Sequence, residues 1–414
     1  MNTAAFLARY EGLKGRLPGD SVVRASAARG FARLGIPDRR LEAWKYTNLR
    51  ALEKFDFHEP LRAVGDECPL LRQLPDLTGQ RIVLIDGRVQ SGLSRVGPQI
   101  QLRDFAHRAE FGGLAQPERE ALVGLNTMLA EDGAVISVEA GVDAGVLLLA
   151  SLASDIHGKP VTFHPRHIIR LAPAAKLTIL EMSLGEGVYL HNPVTEIAVA
   201  EGAALTHVRL QDEAPGAFHL STLYADVAAG GTYDSFALTL GALLARNEMH
   251  VRLGGAHAMA HLNAAQVLRG RQHADFTTVV SHDAPHCASR QTVRNVLDGH
   301  ARGVFQGRIE VARGAQKTDG YQMNKALLLS PDAEIDCKPE LEIYADDVKC
   351  SHGATVGALD EDQLFYLRSR GVPHADARAM LVRAFLTDAL DGIADADIKA
   401  VLEASIERWW MKQS

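Results

Sequence analysis

TEIAVAEGAALTHVRLQDEAPGAFHLSTLYADVAAGGTYDSFALTLGALLARNEMHVRL, residues Thr195 to Leu253, is a succession of short alternating or β-branched runs. Small-residue turns such as Gly202-Ala203, Gly230-Gly231 and Gly254-Gly255-Ala256 separate them. Alternation with period two is the signature of a strand that buries one face. The runs follow one another too closely for crossover helices, which excludes a doubly wound sheet and leaves a sandwich, a barrel or a stacked β-solenoid.

The same texture extends from about Val135 to Thr355, through FTTVV (276–280), GVFQGRI (303–309) and LEIYA (341–345), with further turns at Gly314-Ala315 and Asp332-Ala333. Glycine-alanine punctuation recurs every ~20 to 30 residues, the period of an architecture in which a coil buries its apolar face only when neighbours stack on it. The expected fold is therefore mainly β, a β-solenoid. Its terminal strand edges need covering, and helices on either side can supply the cover.

Helical patterns stand at both ends. Val23, Ala27, Phe31 and Leu34 recur at helical spacing between an opening at Pro18 and Asp20 and a close at Gly35 and Pro37. RIVLIDGRV (81–89) reads as a hairpin turning at Asp86-Gly87, and residues 117 to 131 as one more helix. In the tail, Asp360 with Gln363 three residues on opens a helix that stops at Gly371. Ala377, Leu381 and Phe385 then form one stripe, with Met380 and Ala384 beside it, and Ile398, Leu402 and Trp409 another. Three regions are expected: 1–134, helical with a short β section; 135–357, the β core; and 358–414, helical. Exposed parts of the tail stripes would dock another protein.

Composition narrows the function. With 414 residues, 47% hydrophobic and 23% charged, the chain has the balance of an ordinary soluble globular protein, and its net charge of -7 gives no basic footprint for nucleic acid. The first 20 residues interrupt their apolar residues with Arg9, Glu11 and Lys14, so no signal peptide can be drawn, and the longest apolar stretch, Ala144 to Ala153, is too short to span a bilayer. A cytoplasmic location is expected. Four cysteines in so long a chain read as reduced thiols or metal ligands rather than a disulfide framework. No glycine-rich phosphate loop and no Gly-x-Ser-x-Gly elbow occur, so nucleotide hydrolysis would have to come from a partner.

One spacing carries chemistry. In a strand, Cys350 and His352 project from the same face, so a thiol and an imidazole can approach one metal ion together. That pair suits iron, zinc or an iron-sulfur cluster. Only two ligands are local, so the rest would come from elsewhere: Cys337, 13 residues upstream, or a second chain covering the strand edge. His282, His286 and Cys287 have a spacing that could suggest zinc, but with Pro285 among them and no second cysteine pair they read as a turn between coils, metal being the lesser alternative, and His164 and His167 flank Pro165 in the same way. His250, His257 and His261 straddle a glycine turn. Glu340 and Glu342 share a strand face as a hydrolase pair would, yet an alternating solvated strand explains them more simply.

Several segments together resemble the SufB/SufD family of iron-sulfur cluster assembly scaffolds: EAWKYTNL (42–49), HDAPHCASRQ (282–291), GHARGVFQGRI (299–309), GAQKTDGYQMN (314–324) and, most specific, KPELEIYADDVKCSHGATVG (338–357) followed by DEDQLFYLRSRG (360–371). The resemblance implies a right-handed parallel β-helix between two helical regions, a non-catalytic role, a SufB-like partner paired through the β-helix edge, and a SufC-like ATPase on the C-terminal helices. It implies transient iron or a nascent cluster as cargo and leaves a flavin open. Where B-type sequences carry a cysteine after the glutamine, Met323 stands here, which points to the D-type subunit, whose cysteine and histidine are matched by Cys350 and His352. When isolated, such a chain can also pair with itself. The alternative from another class is a carbohydrate-active enzyme of the polysaccharide lyase kind, against which stand the 6% of aromatic residues and the thiol at the coil end.

Overall fold

The computed structural model describes residues 2–61, 68–77, 79–105, 111–156 and 158–411. Successive strands alternate between two sheets. In the first, Arg81–Ile85 pairs in parallel with Asp143–Ala153, and Lys176–Gly185, Ala204–Asp212, Thr232–Thr239, Met259–Leu268, Ala288–Leu297, Asp319–Leu328 and Lys349–Gly357 follow. The second runs from Ala134–Val138 through Arg166–Leu171, Val194–Val199, Phe218–Val227, Leu244–Leu253, His273–His282 and Arg302–Val311 to Glu334–Ile343. This is the β-solenoid that the punctuation predicts, parallel and with helices at both ends as the resemblance implies. The coil period is read from register: Ala204, Thr232, Met259, Ala288, Asp319 and Lys349 stack directly on one another.

Alternation decides which side chains fill the interior. Ile179, Ile197, Leu205, Tyr233, Val251, Leu262, Val280 and Phe305, drawn from both sheets, form one buried cluster between them. Each such burial contributes about 1.5–3 kcal/mol. The corners repeat too. Gly202, Gly230, His257, His286 and Lys317 occupy equivalent positions with positive φ, and each N–H bonds to a carbonyl of the next coil, at Ala229, Ala256, Pro285, Gln316 and Asp347 respectively. The segment around His286 is therefore the expected turn. Its histidine and His257 stack face to face at 4.9 Å on the surface, while Cys287 is buried.

Asp86 and Gly87, both with positive φ, make the tight hairpin expected there. Helices α1 (Thr3–Leu13), α2 (Ser21–Leu34) and α3 (Ala121–Leu129) pack with Leu190, Phe218, Leu220 and Leu244 of the second sheet. Ala27 and Phe31 of α2 are fully buried, but Leu34, expected on the same stripe, is 37% exposed at the last turn. The segment 42–49 then runs along the outer face of that sheet. Trp44 stacks on the Arg246 guanidinium at 4.1 Å, Thr47 donates to Asp275, and Glu42 pairs with Lys338 of the last strand at 2.7 Å.

At the other end lie α4 (Glu361–Ser369), α5 (His374–Leu390) and α6 (Ala396–Met411). Asp360 caps α4 by accepting from the N–H groups of Asp362 and Gln363, and Gly371 takes the left-handed stop. On α5 the buried stripe is Ala377, Val382, Leu386, Ala389 and Leu390, rotated from the expected Ala377, Leu381 and Phe385. The reason is packing: α5 and α6 together cover the outer face of the first sheet, where Val208, Val267 and Val296 lie in one buried cluster, and α6 shares the seat through Ile398, Leu402 and Trp409. No described helix is long and apolar enough to cross a membrane.

Candidate metal centre at the terminal coil

The solenoid closes on two strands with no further strand beside them among the described residues, Glu334–Ile343 in one sheet and Lys349–Gly357 in the other. Neither contains a fully buried residue, whereas most positions of the strands one coil below are buried. In parallel register, Cys350 lies on Gly320 and His352 on Gln322. Gly320 and Gln322 are buried positions of their strand, so Cys350 and His352 also face the inside of the solenoid, at its open end. His352 is exposed and Cys350 half-buried.

Cys350 leans back toward the coil below. Its Sγ would lie 3.4 Å from a Cβ on Gly320, so the missing side chain there makes room for the sulfur. Ile309, Val311 and Ala345 form the apolar cluster against which it packs. Burial pushes its thiol up from the usual range; the Gly320 N–H opposes this in part and the Asp319 carboxylate adds to it. At neutral pH the group is a thiol until a metal displaces the proton.

Beneath the pair the interior turns polar. The side-chain N and O of Gln322, and amide atoms of Gln291, Asn295 and Asn324, are buried without hydrogen-bond partners among the described residues. Cys337, on the facing terminal strand, packs at the edge of the main interior cluster. Its thiol is raised by burial, with the Asn324 side chain opposing. Thus Cys337, Cys350 and His352 all stand on the inward faces of the two terminal strands. The spacing of Cys350 and His352 was legible in the sequence. The unpartnered amide floor was not, because Gln291, Gln322 and Asn324 become neighbours only through stacking.

Met323 lies on the opposite, outward face, its Sδ and Cε against Gly353. His164, His167 and His282 are buried, and burial pulls them down to about 3, 4 and 4 respectively. His164 shares a hydrogen bond with Asn192 at 2.9 Å and His282 with Ser289 at 2.9 Å, as neutral interior groups do. His261 pairs with Asp234 at 2.5 Å, and His250 lies 3.2 Å from Glu248. Glu340 and Glu342 face outward toward Lys338 and Arg308. Among the described residues, the groups of three or more convergent His and carboxylate donors are His191 with Glu213 and His219, and His250 with Glu120 and Glu248. Neither was foreseen from sequence.

Comparison with known proteins identifies the family of the chain. The family model described as SUF system FeS cluster assembly, SufBD core domain, matches residues 154–385. The chain is 34% identical to the iron-sulfur cluster assembly protein SufD of Escherichia coli, over 90% of this chain and 89% of that protein. It is 31% identical to an iron-sulfur cluster assembly SufBD family protein of Synechocystis, over 92% and 89% respectively. A family protein of Mycobacterium tuberculosis is 27% identical over 90% of this chain and 89% of its own length.

Proposed function

Because the chain belongs to the SufBD family of iron-sulfur cluster assembly proteins, we propose that it serves as a D-type scaffold subunit that pairs with a SufB-like chain and holds iron or a nascent cluster at the shared rim. The observation that carries this reading is the placement of Cys350 and His352 on the inward face of a terminal strand whose outer edge has no strand beside it among the described residues.

Main-chain direction supports a paired edge. Lys349 N–H bonds inward to the Thr318 carbonyl, so in a strand the N–H and C=O groups of Lys349, Ser351, Gly353 and Thr355 serve the coil below. Those of Cys350, His352 and Ala354 are directed at the free edge. A second strand added there would satisfy them and bring its own ligands beside the sulfur and the imidazole. Iron-sulfur clusters take about four protein ligands, and a neutral imidazole among them makes a labile site from which a cluster can leave.

On this reading a SufC-like ATPase docks on the C-terminal helices. Phe365 and Tyr366 of α4 are 73% and 57% exposed and Met380 of α5 is 51% exposed, apolar surface of the kind that docks a partner. The test is anaerobic reconstitution of the chain with SufB-like and SufC-like subunits, followed by absorption and Mössbauer spectra. His352→Ala should abolish most cluster retention in the complex while the pair still forms. Full cluster assembly by that variant would remove the ligand role.

A further inference from the structure

Several coils away from the open rim, the solenoid encloses a second set of donors. His191 ends the short strand Tyr189–His191, and His219 stacks on it in register from Phe218–Val227. Glu213, just after Ala204–Asp212, enters between them: its Oε1 lies 3.1 Å from His191 Nδ1 and its Oε2 2.7 Å from His219 Nδ1. All three residues are at most 4% exposed. We propose that His191, Glu213 and His219 form a closed site for one divalent transition-metal ion, with zinc the ion that the donor set and the enclosure suit.

Three observations converge on this. The Nδ1 atoms of both imidazoles lie within 3.1 Å of a Glu213 oxygen, and one ligand atom from each of the three residues falls within 4.8 Å of the others. Bonds of about 2.0–2.1 Å to zinc require N···O edges of roughly 3 Å, so small side-chain shifts suffice. Charge is the second. The ion pairs made by Glu213 are to these two histidines, with no lysine or arginine among them in the described residues, so a buried carboxylate has only imidazoles to offset it. A divalent cation between them supplies the missing charge without a buried proton.

The third is a surplus of buried polar atoms around the same point. Tyr189, two residues before His191 and on the same face, carries a buried hydroxyl, and His219 Nδ1 is buried 2.7 Å from Glu213 Oε2; neither makes a well-directed hydrogen bond among the described residues. Gln211 orients the carboxylate by donating Nε2–H to Oε2 at 2.9 Å, while its own Oε1 accepts from Gly241 N–H at 3.2 Å. Outer partners of this kind fix a ligand's direction. The other group is different: His250 Nε2 sits between Glu248 and Glu120 at 3.2 and 3.7 Å, while Arg246 already neutralises Glu248, so a protonated imidazole satisfies it without an ion.

The site is independent of the rim, and the experiment separates them. The full chain, purified without a histidine tag and dialysed against EDTA, is assayed for zinc and iron by plasma mass spectrometry, as wild type and as the Cys350→Ser, His352→Ala double variant. About one equivalent retained by both is the expected result, because a closed site releases metal only on unfolding. Glu213→Gln, which keeps the shape, and His219→Gln should each lower it at least tenfold. Should these variants fail to fold, X-ray absorption on wild type reads the coordination directly: nitrogen and oxygen neighbours near 2.0–2.1 Å are expected and sulfur is not. Retention below about 0.1 equivalent by wild type, both as purified and after refolding with zinc or ferrous iron, overturns the proposal. So does metal that disappears in the double variant, or sulfur in the first coordination sphere.

Discussion

His352 stacks in register on Gln322, the one exposed at the rim and the other fully buried with both amide atoms unpartnered among the described residues. An unpaired buried polar atom costs about 1–3 kcal/mol. On the proposed reading, the polar floor beneath the imidazole serves the site rather than the packing. Gln322→Leu should therefore hold or raise the stability of the isolated chain in urea denaturation, by about 1 kcal/mol, and lower cluster retention in the reconstituted complex. A variant that unfolds more easily would show the amide to be structural.

Gly320 makes room for the Cys350 sulfur. A Cβ there would meet Sγ at 3.4 Å and Ile309 Cδ1 at 3.2 Å. Gly320→Ala should cost about 1 kcal/mol through overpacking and push the thiol outward. The check is the rate of Cys350 with a disulfide reagent, in a background lacking the other cysteines, which should rise severalfold.

The free edge can be blocked without disturbing the coil below. Ala354 directs its N–H away from Asp319–Leu328, so Ala354→Pro removes a donor that only a partner strand would use. Size-exclusion chromatography with the SufB-like subunit should show loss of pairing, while circular dichroism of the chain stays unchanged. Unimpaired pairing would place the interface elsewhere.

Acid should destabilise the chain well above the carboxylate range. Burial holds His282 at about 4 and His167 at about 4, against 6.5 when unfolded. A depressed folded value means that the contribution is fully present above pH 6.5 and is lost as pH falls through about 4. Each such histidine accounts for about 3 kcal/mol across that window. Urea midpoints measured from pH 7.5 to 4.5 should fall steeply, and His282→Gln should flatten the curve.

On the C-terminal helices, Phe365→Ser with Tyr366→Ser removes exposed apolar area that the fold does not use. Thermal stability should change by less than about 0.5 kcal/mol. Binding of the SufC-like ATPase, read by calorimetry, should weaken by at least tenfold.

Alternation in runs such as LTHVRL and EMHVRL, and turns at fixed recurrence, determined that this chain is a stack of coils, because a strand buries alternate residues wherever its neighbours lie. The same local rule put Cys350 and His352 on one face. The stripe of α5 was misplaced by one position because its buried side is set by the sheet beneath and by α6, not by its own periodicity. Register between coils is a long-range property: nothing in the sequence announces that His219 lies on His191 with Glu213 between them, or that Gln322 forms the floor under His352. Sequence determined which residues could face inward. Only stacking decided which of them meet.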